Sequence, residues 1–192
     1  AVIPTELFKR GGEAQIRQVL ERASAANISD ALHRGGVLAG IKCQTPGRKL
    51  VGKVLTVRTA PGDWAKPVEA IDQAGEGGVV VVDAGGVPPA IWGGLATKSA
   101  ISKKLAGVVI HGYIRDIDEI REQGLPAYSC GVTPNAGEAK GFGEIGAPIV
   151  ISGRKVETGD WVVAAGDGVV PLPRDIAVED ANRAQDVFEA EN

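Results

Sequence analysis

Two unbroken apolar runs, separated by a segment dense in glycine and proline, constrain this chain more than anything else in it. The stretch from Val79 to Glu119 reads VVVVDAGGVPPAIWGGLATKSAISKKLAGVVIHGYIRDIDE. Val79 to Asp83 predicts a strand buried on both faces, because no polar residue alternates with the valines. A helix is expected from about Leu95, and Val108 to His111 predicts a second buried strand whose end carries Arg115-Asp116. Two parallel strands joined through a helix expose their carboxyl ends on one edge of a sheet. The glycine loop, the free N–H groups that open the helix, one Arg and one Asp should therefore converge.

The surrounding sequence fits an α/β domain. Residues 5–22 predict a helix, with Leu7, Ile16, Val19 and Leu20 on one face. Ile28 to Leu32 suggests a short helix capped by Ser29 or Asp30 and stopped by Gly35-Gly36. Val51 to Arg58 reads as a strand, residues 60–67 as a loop, Val68 to Gln73 as a short helix and residues 75–78 as a turn. Ile117 to Gln123 predicts a helix ended by Gly124, and Ala127 to Ser129 a further strand. Residues 133–147 look irregular. Val150-Ile151, Trp161 to Ala164 and Val169-Val170 read as short strands, Gly166-Asp167-Gly168 as a hairpin turn, and residues 174–190 as a surface helix. No linker or repeat divides residues 1–192, so one domain is expected, with a central parallel βαβ unit and shorter strands beside it.

Charge and composition narrow the function classes. The 192 residues carry a net charge of −3, which argues against a nucleic-acid partner. No apolar run reaches the ~20 residues of a membrane span, and AVIPTELFKR lacks the apolar core of a secretory signal. Cys43 and Cys130 stand outside any metal or redox spacing, and only His33 and His111 could join them, so two free thiols in a reducing, cytoplasmic setting are expected.

Arg115-Asp116 is the pair most able to do chemistry. Arg offers two parallel donors matched to a carboxylate. Asp offers hard oxygen for Mg²⁺ or Mn²⁺. The same dipeptide could equally be a surface ion pair, or a helix start capped by Asp116. Gly93-Gly94 before Leu95 and Ala96 would let backbone N–H groups reach an anion, or could be a turn that makes room for Trp92. Weaker candidates are Lys98, Lys103 and Lys104 on the helix, His111 at a strand end, Asp63 and Trp64 in APGDWAKP, and Glu138 and Glu144 in the irregular segment.

These segments together resemble the family of regulator of ribonuclease activity A and the 4-hydroxy-4-methyl-2-oxoglutarate aldolases. The likeness is carried by Ile28 to Leu32 (ISDAL), Gly52 to Arg58 (GKVLTVR), Pro61-Gly62-Asp63, Gly77 to Asp83, Trp92 to Ala96 (WGGLA), Gly107 to Asp116 (GVVIHGYIRD) and Gly166 to Pro171. The resemblance implies a β/β/α swivelling-domain fold in homotrimers or hexamers with sites between subunits. It implies a pyruvate-type substrate held by Gly93, Gly94, Leu95, Ala96 and Arg115, with Asp116 holding Mg²⁺ or Mn²⁺. The chain departs from the family pattern at Gly94, where many aldolases have Glu, and at His111, where Asp is usual. An acid from a neighbouring subunit would have to be sought among Glu179, Asp180 and Glu189.

The function so implied is a divalent-metal-dependent lyase on 2-oxo acids, with Arg115 and Asp116 as the catalytic pair. It would perform retro-aldol cleavage, oxaloacetate decarboxylation, or both, because each leaves a pyruvate enolate that a chelated cation stabilises. The alternatives are a regulator that binds and inhibits an RNA-degrading endonuclease, or a small-molecule binding module. Retention of Asp116 favours the enzyme, since a pure binder needs no metal carboxylate.

Overall fold

The computed structural model describes residues 13–32 and 36–174. In chain order the elements are α1 (Glu13–Arg22), α2 (Ala25–Ala31), β1 (Lys42–Cys43), β2 (Leu50–Arg58), α3 (Ala65–Ala70), β3 (Gly78–Asp83), β4 (Ala90–Trp92), α4 (Gly94–Ser102) and β5 (Gly107–Ile114). There follow α5 (Ile117–Gln123), β6 (Ala127–Val132), β7 (Glu144–Ile145), β8 (Ile149–Ile151), β9 (Arg154–Val156), β10 (Trp161–Ala165) and β11 (Gly168–Leu172).

One mixed sheet runs in the order β1-β6-β5-β3-β2-β10-β11, with β4 added beside β5 and β7 beside β2. The four central strands β6, β5, β3 and β2 are parallel; β1 and β10 flank them antiparallel, and β11 pairs antiparallel with β10. The sheet curls until its edges nearly meet, with the Leu38 N–H donating to Val169 O at 2.9 Å across the gap. Its inner face packs Val54, Val79, Val81, Val109, Tyr128 and Val162 under the β8–β9 hairpin. Its outer face carries two helical layers. α3, α4 and α5 cover Val57, Val80, Val82, Val108 and Ile110. α1 and α2 cover Val51, Trp161, Val163 and Val170. This is the β/β/α swivelling-domain architecture. It explains why VVVVD has no polar alternation, since β3 is walled by side chains on both faces.

Polar side chains of α1 and the β2 approach fasten the layer formed by α1 and α2. Arg17 donates to Val51 O at 3.0 Å and Gly77 O at 3.2 Å, and its guanidinium lies 5.3 Å from the Trp161 ring centre. Lys49 donates to Leu20 O, Glu21 O and Ala23 O, the carbonyls that α1 leaves unpaired at its end.

Several element boundaries differ from those read in the sequence. α2 starts at Ala25, capped by Ser24 rather than Ser29 or Asp30. The Asn27 N–H donates to Ser24 Oγ at 3.0 Å, and the Ser24 N–H returns to Asn27 Oδ1 at 3.1 Å. α3 begins at Ala65, ahead of the expected Val68, because Pro67 falls in the first turn, where its missing N–H costs nothing. β5 runs on to Ile114, since its second half gains a partner in β4, a strand hidden inside the glycine- and proline-rich loop. β9 and the two-residue β7 were likewise not legible. The first part of the 5–22 helix, the Gly35 stop and the 174–190 helix beyond Arg174 lie outside the described residues.

Candidate active site

The expected site residues come together at the carboxyl end of β5. The parallel β4–β5 pairing sets Ala90 beside Tyr113 and Trp92 beside Ile114, and Arg115 N–H donates to Trp92 O at 2.9 Å. Arg115-Asp116 and Gly93-Gly94 are thereby locked side by side. They line one open cavity of about 330 Å³, together with Leu95, Ala96, Trp64, Val68, Ile91 and Ala136.

Asp116 sits in the left-handed region at φ 56°, a conformation that Asp tolerates better than most side chains. It occupies the N-cap position of α5 but makes no side-chain bond to that helix. Its carboxylate turns to α4 instead, and the Gly94 N–H donates to Oδ2 at 3.0 Å. An anion at the positive end of α4 is favourably placed. Oδ2 also lies 3.9 Å from Arg115 Nε, and both side chains remain close to half exposed. One of the expected loop donors, the Gly94 N–H, is therefore taken by Asp116, whereas Leu95 and Ala96 open the helix with no intrahelical acceptor ahead of them.

Glu119, one helical turn beyond Asp116, also reaches this corner. A methyl group built on Gly94 would stand 2.3 Å from Glu119 Oε2, and one on Gly93 would stand 2.7 Å from Asp116 Oδ2. The absence of side chains at 93 and 94 is what lets both carboxylates approach the start of α4. A carboxylate from α5 thus stands against Gly94, which has no side chain of its own. The spacing of Asp116 and Glu119, i and i+3 on a helix, is the signal that would have singled Glu119 out. Mg²⁺ and Mn²⁺ bind through one or two carboxylates and several waters. The oxygen donors of Asp116 and Glu119 fit such an ion, although no group of three or more His, Cys, Asp or Glu side chains gathers among the described residues.

The weaker candidates fall elsewhere. Lys98 is exposed, Lys103 pairs with Asp72 at 3.2 Å and Lys104 with Glu76 at 4.0 Å. His111 faces the inner side of the sheet, with Nδ1 3.1 Å from Asp83 Oδ1. Glu144 pairs with Arg58 at the surface, and Glu138 lines a neighbouring cleft. Cys43 and Cys130 are both free thiols. Burial pushes the Cys130 thiol up; the Gly112 N–H opposes this and Asp83 adds to it, so Cys130 is held protonated.

Asp63 is a brace. Its buried carboxylate accepts from the Ala65 N–H at 3.1 Å, Lys140 at 3.0 Å, Gly141 at 3.2 Å and Phe142 at 2.8 Å. Burial pushes its carboxyl up, but the four N–H bonds outweigh this and hold it below the ordinary carboxylate range. The brace, with the backbone bonds of Glu138 to Gly62 and Trp64, ties residues 138–142 to the start of α3, and Trp64 and Ala136 both line the cavity.

Comparison with known proteins shows the family and the fold. Residues 25–170 match the model of the RraA-like family, described as Aldolase/RraA. An uncharacterised protein of Methanocaldococcus jannaschii is 34% identical over 176 residues, covering 90% of this chain and 84% of that protein. A 4-hydroxy-4-methyl-2-oxoglutarate aldolase of Thermus thermophilus is 33% identical over 153 residues, covering 79% of this chain and 93% of the aldolase. The solved structure of the RNA-processing inhibitor RraA from Thermus thermophilus superposes with a TM-score of 0.72 at 32% identity, over 79% of this chain and 93% of that one. Among the described residues no helix is long and apolar enough to cross a membrane.

Proposed function

We propose, since this chain belongs to the RraA-like (Aldolase/RraA) family, that it is a lyase acting on 2-oxo acids, dependent on Mg²⁺ or Mn²⁺ and assembled as a homotrimer or hexamer. The observation that carries the reading is the single cavity onto which Arg115, Asp116 and the N-terminal turn of α4 open. Relatives named as 4-hydroxy-4-methyl-2-oxoglutarate aldolases support it.

Arg115 binds the substrate carboxylate through its fork of donors, and the Leu95 and Ala96 amides add positive potential from the helix end. Both hold the C3–C4 bond at the mouth of the site. A divalent cation bound through Asp116, with Glu119 beside it, would supply Lewis-acid stabilisation of the charge developing on the 2-oxo group. As the C3–C4 bond breaks, its electron pair becomes the enolate of pyruvate and the 4-hydroxyl proton departs. Decarboxylation of oxaloacetate would pass through the same enolate.

The likeness to RraA supports a second reading, a regulator that binds an RNA-degrading endonuclease. Pyruvate release from 4-hydroxy-4-methyl-2-oxoglutarate and from oxaloacetate, followed with and without Mg²⁺ or Mn²⁺, separates the two. Metal-dependent release is expected from the wild type and not from Asp116→Ala. No release from either compound in the presence of either metal would leave the regulator reading standing instead.

A further inference from the structure

Three side chains of α5 converge on Gly94. Asp116 Oδ2 accepts the Gly94 N–H at 3.0 Å. Gln123, two turns further on, donates through Nε2 to Gly94 O at 3.3 Å. The same amide group donates to Glu119 Oε1 at 3.1 Å. Asp116, Glu119 and Gln123 stand at i, i+3 and i+7, so they share one face of the helix. The Gln123 amide fits only this way round, because the reverse would set its Oε1 against two acceptors. In this orientation Oε1 is buried and has no hydrogen-bond partner among the described residues. A neighbouring subunit could not reach it, since the chain itself already encloses the atom. A buried acceptor without a partner is destabilising, whereas an apolar side chain of similar shape is not. Packing alone would therefore favour Leu or Met at position 123, and what Gln adds is its pair of donors.

We infer that Gln123 is a positioning residue, which holds Glu119 at the start of α4 as the second carboxylate of the ion site. The inference rests on the metal-dependent lyase reading and adds the group that orders Glu119. Glu119 is exposed, and a free glutamate on a helix surface samples several rotamers. Binding an ion through it would have to freeze them. A carboxylate already hydrogen-bonded to Gln123 has given up part of that freedom beforehand. Its other oxygen, Oε2, then lies over Gly94, next to the N–H that Asp116 accepts. Hydrogen-bond partners of a metal ligand typically change metal affinity by about 10–100-fold. The lower end is expected here, because Glu119 remains open to water.

The test titrates Mn²⁺ into the full chain by calorimetry and records a thermal melt of each variant. Gln123→Leu should bind Mn²⁺ about tenfold more weakly than the wild type while its Tm stays equal or rises. Gln123→Met, nearer to Gln in length, should do the same and serves if the Leu variant does not fold. Glu119→Ala should also weaken Mn²⁺ binding, and adding Gln123→Leu to it should weaken binding no further, because Gln123 acts through Glu119. Wild-type affinity in Gln123→Leu and Gln123→Met overturns the inference. So does a weaker affinity that comes with a lower Tm, which marks a structural role, or an undiminished loss in the Glu119→Ala background. Pyruvate release is then followed with Mn²⁺. Release that needs Mn²⁺ and Asp116 but ignores Gln123, with Mn²⁺ affinity equally indifferent, overturns the inference and leaves the lyase reading intact. The expected binding pattern with no pyruvate released defeats the lyase reading and upholds the positioning role. A wild type that binds no Mn²⁺ overturns both.

Discussion

Removing the Asp63 carboxylate should loosen the cavity wall, and the structure sets the scale. The four N–H groups that it accepts belong to Ala65, Lys140, Gly141 and Phe142. A hydrogen bond to a charged acceptor is worth about 1.5–3 kcal/mol on balance. The sum would overstate the loss, because Lys140, Gly141 and Phe142 belong to exposed residues whose amides water can partly recover. About two bonds unrecovered at the lower value gives roughly 3 kcal/mol for Asp63→Ala. In a chain of this size that is a fall in Tm of roughly 6–12 °C. Asp63→Asn should cost less. Oδ1 already takes three of the bonds, and only the amide group facing the Phe142 N–H is mismatched. The two variants also differ from the wild type in pH dependence. The Asp63 carboxyl is held below its unfolded value of about 3.9, so its contribution is complete above that pH and is lost as pH falls through the folded value. Neither variant should show that part of the acid-side decline. Calorimetric melting from pH 7 down to the acid transition measures both effects. A Tm for Asp63→Ala within about 1 °C of the wild type, or an unchanged acid limb in Asp63→Asn, refutes the reasoning.

Arg115→Lys keeps the charge and loses the fork, so oxalate binding in Mg²⁺ should weaken by about 1.5–3 kcal/mol; equal affinity in calorimetry removes Arg115 from the carboxylate site. Asp116→Asn can still accept the Gly94 N–H and should leave Tm nearly unchanged while metal-dependent pyruvate release falls sharply, whereas Asp116→Ala should in addition lose about 1 kcal/mol of stability with the cap of α4. Gly137→Ala would set a methyl carbon 1.7 Å from Gly62 O, so the brace between residues 60–63 and 136–138 must part, at a cost of about 1–3 kcal/mol; a thermal melt like that of the wild type would contradict the packing. Light scattering should give a trimer or hexamer, and truncation after Arg174 should lower activity; a monomer at micromolar concentration with full turnover would contradict a site shared between subunits.

The sequence by itself determined the parts whose pattern is local. Four consecutive valines with no polar alternation can only be a strand covered on both faces, and β3 is that strand. GVVIHGYIRD had to end a parallel neighbour near the glycine loop, and Arg115, Asp116, Gly93 and Gly94 do share a cavity. Tertiary structure decided what local pattern cannot encode. β4 is too short to read as a strand and fills the side of β5 that β3 leaves open beyond Asp83. Asp116 is at a helix start, as its position suggests, but whether its carboxylate caps its own helix or a neighbouring one depends on which N–H lies within reach. That N–H comes from Gly94, 22 residues away in the chain. Asp63 looked like one acid in a loop, and its role as a brace depends on amides more than 70 residues distant. Glu119 entered the site only because α5 packs against α4 where Gly93 and Gly94 leave room. Periodicity reports which face of an element is buried, whereas the identity of the neighbour on that face is fixed by sheet order and crossover geometry.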